Sequence, residues 1–102
     1  MEKVITCIVQ RGKGEKVVKG AIDAGAQGAT VFYARGTGVR QKLGLLGGLI
    51  TPEKEVVIVV TQEDKADGIF KAMVLAGELE KPGKGFAFIQ TVEKSVGFLS
   101  KK

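Results

Sequence analysis

Two hydrophobic rhythms divide the chain. Val4-Ile5-Thr6-Cys7-Ile8-Val9 is apolar on both sides of a two-residue repeat, which predicts a strand buried on both faces. Arg11 to Lys13, with Gly12 and Gly14, reads as a turn into a helix. That helix sets Val17, Val18, Ala21 and Ile22 on one side and Lys16, Lys19 and Asp23 on the other, and Gly25 is placed to stop it in a left-handed cap. A second strand covers Gly28 to Ala34 and a third Glu55 to Thr61. Thr61-Gln62-Glu63-Asp64 offers capping groups to a second helix, whose stripe is Ala66, Ile69, Phe70, Met73 and Val74, with Gly77 at its end. A basic turn from Leu79 to Lys84 leads to a fourth strand, Gly85 to Val92, and Val96 to Leu99 forms a short possible fifth.

The pattern repeats at one offset. Val4 maps on Val56, Lys13 on Lys65, Val17 on Ile69, Ile22 on Val74 and Gly25 on Gly77. Two copies of strand-helix-strand predict an α+β fold of ferredoxin-like βαββαβ order, in one domain over residues 1–102. Right-handed crossovers put both helices on the same face of an antiparallel sheet. The other face should then be polar, but strands 1 and 3 have no polar side. Each buried aliphatic is worth about 1.5–3 kcal/mol, so the uncovered face predicts an oligomer that buries it.

Between strands 2 and 3 lies Arg35 to Glu55, RGTGVRQKLGLLGGLITPEKE. A connector this long inside a compact domain is functional or disordered. Disordered linkers lack large aliphatics, whereas this one holds Leu43, Leu45, Leu46, Leu49 and Ile50 among five glycines. It reads as a contact surface presented by the rest of the chain.

Composition narrows the chemistry. The 102 residues are 44% apolar and 26% charged, and no run reaches the length of a membrane span. No secretory signal is visible at the start, which makes the cytoplasm the expected location. The single cysteine, Cys7, excludes an intrachain disulfide and a cysteine-based zinc site, and its strand position predicts a buried thiol. With no histidine, the commonest general base and metal ligand are both missing; no catalytic and no metal-binding residues are assigned. The net charge of +5 favours anionic partners.

Three segments carry candidate chemistry. Lys84-Gly85-Phe86-Ala87-Phe88-Ile89 fits the opening of an RNA-recognition motif, in which aromatics two apart on a strand stack bases. It follows helix 2 instead of preceding it, and strand 1 offers no aromatic partner, so packing is the preferred role and nucleic acid is not expected. Lys81-Pro82-Gly83-Lys84-Gly85 is either a phosphate cradle or a solvated turn. Arg35-Gly36-Thr37-Gly38-Val39-Arg40-Gln41-Lys42 sets cations around glycines at the loop root, to hold an anion or to solvate the loop.

Together, Gly28 to Lys42, the Pro52 to Thr61 strand and Lys81 to Phe88 resemble the PII nitrogen-regulatory signal-transduction family across nearly the whole chain. The resemblance implies a homotrimer with its sheets facing inward. It also implies a protruding T-loop, here within residues 36–52, that docks on targets, and an adenine-nucleotide site in each cleft between subunits. On this chain the site falls on Arg35, Gly36, Thr37, Gly38, Arg40 and Gln41 at the loop root and on Gly83, Lys84 and Gly85 of the B-loop. The partner-binding residues would be Leu43, Leu45, Leu46, Leu49 and Ile50. Several family positions differ. The B-loop lysine is Phe86, the two late arginines are Gly97 and Leu99, and the lysine after the loop-closing proline is Glu53. The loop is short and has no tyrosine, so its uridylylation is not expected.

The sequence thus predicts a regulator and not an enzyme, with no tightly bound cofactor. ATP, ADP or AMP is the expected effector. The expected target is a membrane transporter or a metabolic enzyme, and the alternative is an RNA-binding domain built on the KGFAFI strand.

Overall fold

The computed structural model describes residues 1–36 and 53–98. The elements run β1 (Glu2–Gln10), α1 (Gly14–Asp23), β2 (Thr30–Arg35), β3 (Glu53–Gln62), α2 (Glu63–Gly77) and β4 (Gly85–Thr91). The four strands form one antiparallel sheet in the order β2-β3-β1-β4. This is the predicted ferredoxin-like arrangement.

The internal repeat becomes a local twofold at the centre of the sheet. Val4 pairs with Val60 and Ile8 with Val56, so each residue sits opposite the counterpart of the other. One face of these strands meets the helices. There Ile5, Cys7 and Val9 of β1 and Val57 and Val59 of β3 lose all solvent contact against Val17, Ala21, Ile69 and Met73. Phe70 and Val18 are only half-buried at the edge of this core, and Ile22 is exposed.

The opposite face carries Val4 and Ile8, then Val56, Ile58 and Val60, flanked by Phe32 on β2 and by Phe86 and Phe88 on β4. No helix covers it. Phe32 is 46% exposed and Phe86 61%.

Helix ends separate two uses of glycine. Gly25 ends α1 at φ +115, with Ala26 N–H donating to the Ala21 carbonyl at 2.9 Å, the expected left-handed stop. Gly77 is the last residue of α2 but not its left-handed cap. It keeps the helical conformation, a Cβ there would press on Leu79 and on Val17 Cγ2 at 3.2–3.3 Å, and Glu78 takes the left-handed position at φ 56. Nor do Thr61 to Asp64 form a side-chain cap. The chain runs from β3 straight into α2, Thr61 is buried in the strand, and Glu63 and Asp64 place negative charge by the free amides of the first turn. After β4 a single bond, Val92 N–H to the Glu2 carbonyl at 3.0 Å, extends the pairing. Residues 92–98 then form no strand, and Val96 is 99% exposed; Leu99 lies outside the described residues.

α1 gets its start from β3. The Gly14 amide donates to Glu55 Oε1 at 2.6 Å, a buried contact that places a carboxylate on the helix N-terminus. A Cβ on Gly14 would overlap that oxygen. A charge-assisted bond of this kind is worth about 1.5–3 kcal/mol. Glu55→Ala should therefore lower the melting temperature by about 10 °C, and Glu55→Gln, which keeps an acceptor, by less than half as much. Equal losses in thermal unfolding would remove the helix-start role.

Burial also governs Cys7. Desolvation raises its thiol from 9.0 to about 11. At pH 8 only about one thiol in a thousand is ionised, so aromatic disulfide reagents should react only after denaturant opens the fold. The native thiol keeps its proton above the pH at which the unfolded one loses it, so stability should fall as pH rises beyond about 9. Rapid labelling of the native protein would contradict both expectations.

Candidate functional site

Four strand ends meet at one pole. Arg35 on β2 is in register with Glu53 on β3, Lys54 with Gln10 on β1, and Val9 with Gly85 on β4. The loop root therefore leaves this pole at one edge of the sheet, and the Lys81–Gly85 turn enters it at the other.

At the β2 side, Arg11 follows the end of β1, and its amide donates to the Glu53 carbonyl at 3.3 Å. Its guanidinium pairs with the Glu53 carboxylate and lies 5.8 Å from the centre of the Tyr33 ring, in range of a cation–π contact. Arg11, Tyr33, Ala34, Arg35 and Glu53 line a cavity of about 260 Å³. Next to it, Gly12, Glu15, Val18, Val31, Tyr33 and Glu55 line a second of about 340 Å³.

At the β4 side, Gly83 has φ +80 and Gly85 φ +151, conformations in which a side chain is strained. Gln10 Nε2 donates to the Gly83 carbonyl at 2.9 Å and ties the turn to β1. Lys81 approaches Glu78 at 3.7 Å, which offsets part of the turn's positive charge. Lys84 makes no ion pair among the described residues.

Of the sequence-assigned residues, Arg35 and Gly36 lie at one edge and Gly83, Lys84 and Gly85 at the other. Two strands separate them, a distance of about 14 Å from three strand spacings. One copy of the chain does not bring the two halves together. Thr37, Gly38, Arg40 and Gln41, and the loop residues Leu43, Leu45, Leu46, Leu49 and Ile50, lie outside the described residues. The structure adds Arg11 and Tyr33, which sequence reading had left in a turn and in a strand. Among the described residues no three metal-ligating side chains cluster.

Phe86 and Phe88 stand together on the uncovered sheet face with ring centroids 5.5 Å apart. Their cross-strand neighbours are Ile8 and Thr6, so β1 gives no aromatic platform for a second base.

Comparison with known proteins agrees with this architecture. The family model described as nitrogen regulatory protein P-II matches residues 2–100. The crystal structure of Arabidopsis thaliana PII bound to citrate superposes with a TM-score of 0.70 at 19% identity, covering 89% of this chain and 77% of that one. No curated protein sequence matches. With the family model spanning all six elements, the chain belongs to the nitrogen regulatory protein P-II family.

Proposed function

We propose that this chain is a cytoplasmic signal-transduction protein. As a homotrimer it binds a small anionic effector, an adenine nucleotide, in clefts between subunits, and it controls a target protein through its T-loop, residues 36–52. The observation that carries this reading is the split site. Arg35 and Gly36 stand at one sheet edge and Gly83, Lys84 and Gly85 at the other, with an uncovered apolar face between them. A neighbouring copy that covers the face would bring its glycine turn to this chain's loop root, so assembly and ligand site would form together.

In that cleft Arg35, Gly36, Thr37, Gly38, Arg40 and Gln41 would meet Gly83, Lys84 and Gly85 of the next subunit, with cations and open amides directed at phosphates. Ligand at the root would select one arrangement of the loop and so expose or withhold Leu43, Leu45, Leu46, Leu49 and Ile50 from a transporter or a metabolic enzyme. A relative that holds citrate supports an anionic effector. Nothing in the reading calls for a bound metal, a tightly held cofactor or catalysis.

Titration calorimetry with ATP, ADP and AMP tests it. Saturable heat at three sites per trimer is expected from at least one of them. Silence with all three, from a protein that sediments as a folded trimer, would leave a loop-binding protein without nucleotide control.

A further inference from the structure

The helix side of β2 is left open where α1 begins. Val31 pairs with Val57 and Tyr33 with Glu55, so these side chains share the face that the helices cover. Val57 and Glu55 are buried there, whereas Val31 and Tyr33 are exposed. The gap between this edge and α1 is the cavity of about 340 Å³, inside the range of roughly 300–1,000 Å³ common for small-molecule sites. Val18 and Val31 give it apolar walls, Tyr33 an aromatic one, and Glu15 and Glu55 two carboxylates. No lysine or arginine lines it.

That negative charge is more than the helix requires. The N-terminus of α1 carries about half a positive charge, and Glu55 Oε1 already answers it through the Gly14 amide. Glu55 is 8% exposed, yet among the described residues its carboxylate forms no ion pair and Oε2 takes no hydrogen bond. Glu15, in the first turn of α1, adds a second charge and has no cation partner among the described residues either. In a chain of net charge +5 the cavity is a local negative site. The Tyr33 ring also walls the neighbouring cavity, where it already meets a cation, Arg11 at 5.8 Å from its centre. Carboxylates beside an aromatic ring and aliphatic walls suit an alkylammonium ion. A bare hard metal ion fits poorly, since it takes about six oxygen ligands and no three ligating side chains cluster among the described residues.

We infer that this cavity binds a short aliphatic amine, with its ammonium group among Glu55, Glu15 and the Tyr33 ring and its chain along Val18 and Val31. A diamine matches both carboxylates. The site goes beyond the anionic effector. It takes a ligand of the opposite charge, and all its residues come from one copy of the chain.

The test is calorimetry of the full chain with the aliphatic diamine putrescine, with n-butanol and magnesium chloride as comparisons. Putrescine should bind saturably and n-butanol not at all, and magnesium chloride should displace putrescine no better than sodium chloride of equal ionic strength. Glu15→Gln should bind putrescine about tenfold weaker, the effect of one charge removed at contact range. Tyr33→Leu should bind it about fivefold weaker through the lost cation–π contact, and Tyr33→Phe, which keeps the ring, should match the wild type. Melting temperatures show that each variant is folded. No putrescine binding by the wild type overturns the inference, as does unchanged binding by folded Glu15→Gln or Tyr33→Leu. Preferential displacement by magnesium overturns it too, in favour of a metal site. ATP is titrated separately. Its failure to bind would count against the nucleotide cleft and leave the amine comparison standing.

Discussion

Phe86→Asp should leave one subunit folded and take the assembly apart. Within a single chain Phe86 is 61% exposed, on the far side of β4 from the helices, and is not part of the buried core. Exposed substitutions of this kind usually change subunit stability by less than about 0.5 kcal/mol. In an assembly that covers the sheet the balance reverses. Each copy loses about 1.5–3 kcal/mol of apolar burial, and each places a carboxylate in an apolar interface, where desolvation costs more still. Summed over three copies the change exceeds several factors of ten in association. Sedimentation at micromolar concentration should give about 32 kDa, three times the 10.8 kDa chain, for the wild type and a single subunit for the variant. Circular dichroism of the two should coincide. A wild type that sediments as one folded subunit would end the assembly argument and the shared cleft with it. A variant that stays trimeric would move the interface to another face.

The legible parts of this molecule were those where one physical demand acts on a run of residues. Ile5, Cys7 and Val9 alternate with Val4 and Ile8, and no single-layer cover satisfies both sets. The fold and its uncovered face followed from that. Gly25 was legible because it ends an amphipathic helix with nothing else to do. Gly77 also ends its helix but does not supply the left-handed stop, and it is small for the sake of Val17 on the neighbouring helix, a contact no local pattern records. Glu78 then bears the left-handed turn against its own preference. Arg11 stayed hidden for a related reason. Its meeting with Glu53, 42 positions away, depends on the antiparallel register of β1 and β3, and its own surroundings read only as a basic turn. The loop root and the glycine turn were both picked out as anion-binding candidates. Their separation to opposite edges needed the strand order β2-β3-β1-β4.

Gly85→Ala should be the most damaging single-methyl change at the candidate site, for a reason that is not ligand binding. Gly85 pairs with Val9 as β4 begins, at φ +151, where L side chains rarely go. A Cβ there would overlap the Ile8 carbonyl oxygen and press on Leu79 Cδ2 at 3.0 Å and Val9 Cγ1 at 3.2 Å. The first of these is backbone within the β1–β4 ladder and cannot swing aside. Overpacking costs about 1–3 kcal/mol and a side chain in this backbone region about 1–3 more, so the loss should be roughly 2–6 kcal/mol. That is a large share of a small domain's stability and a fall in melting temperature of more than about 10 °C. Gly83→Ala, strained by its φ of +80 but outside the strand pairing, should cost about 1 kcal/mol. The contrast separates two roles for the glycines of one turn. If nucleotide binding fails in Gly83→Ala while the protein melts near the wild-type temperature, the turn acts as a phosphate cradle. If Gly85→Ala were as stable as wild type, the close approach of β4 to Ile8 would be wrong. Gly85 would then owe its place to the ligand alone.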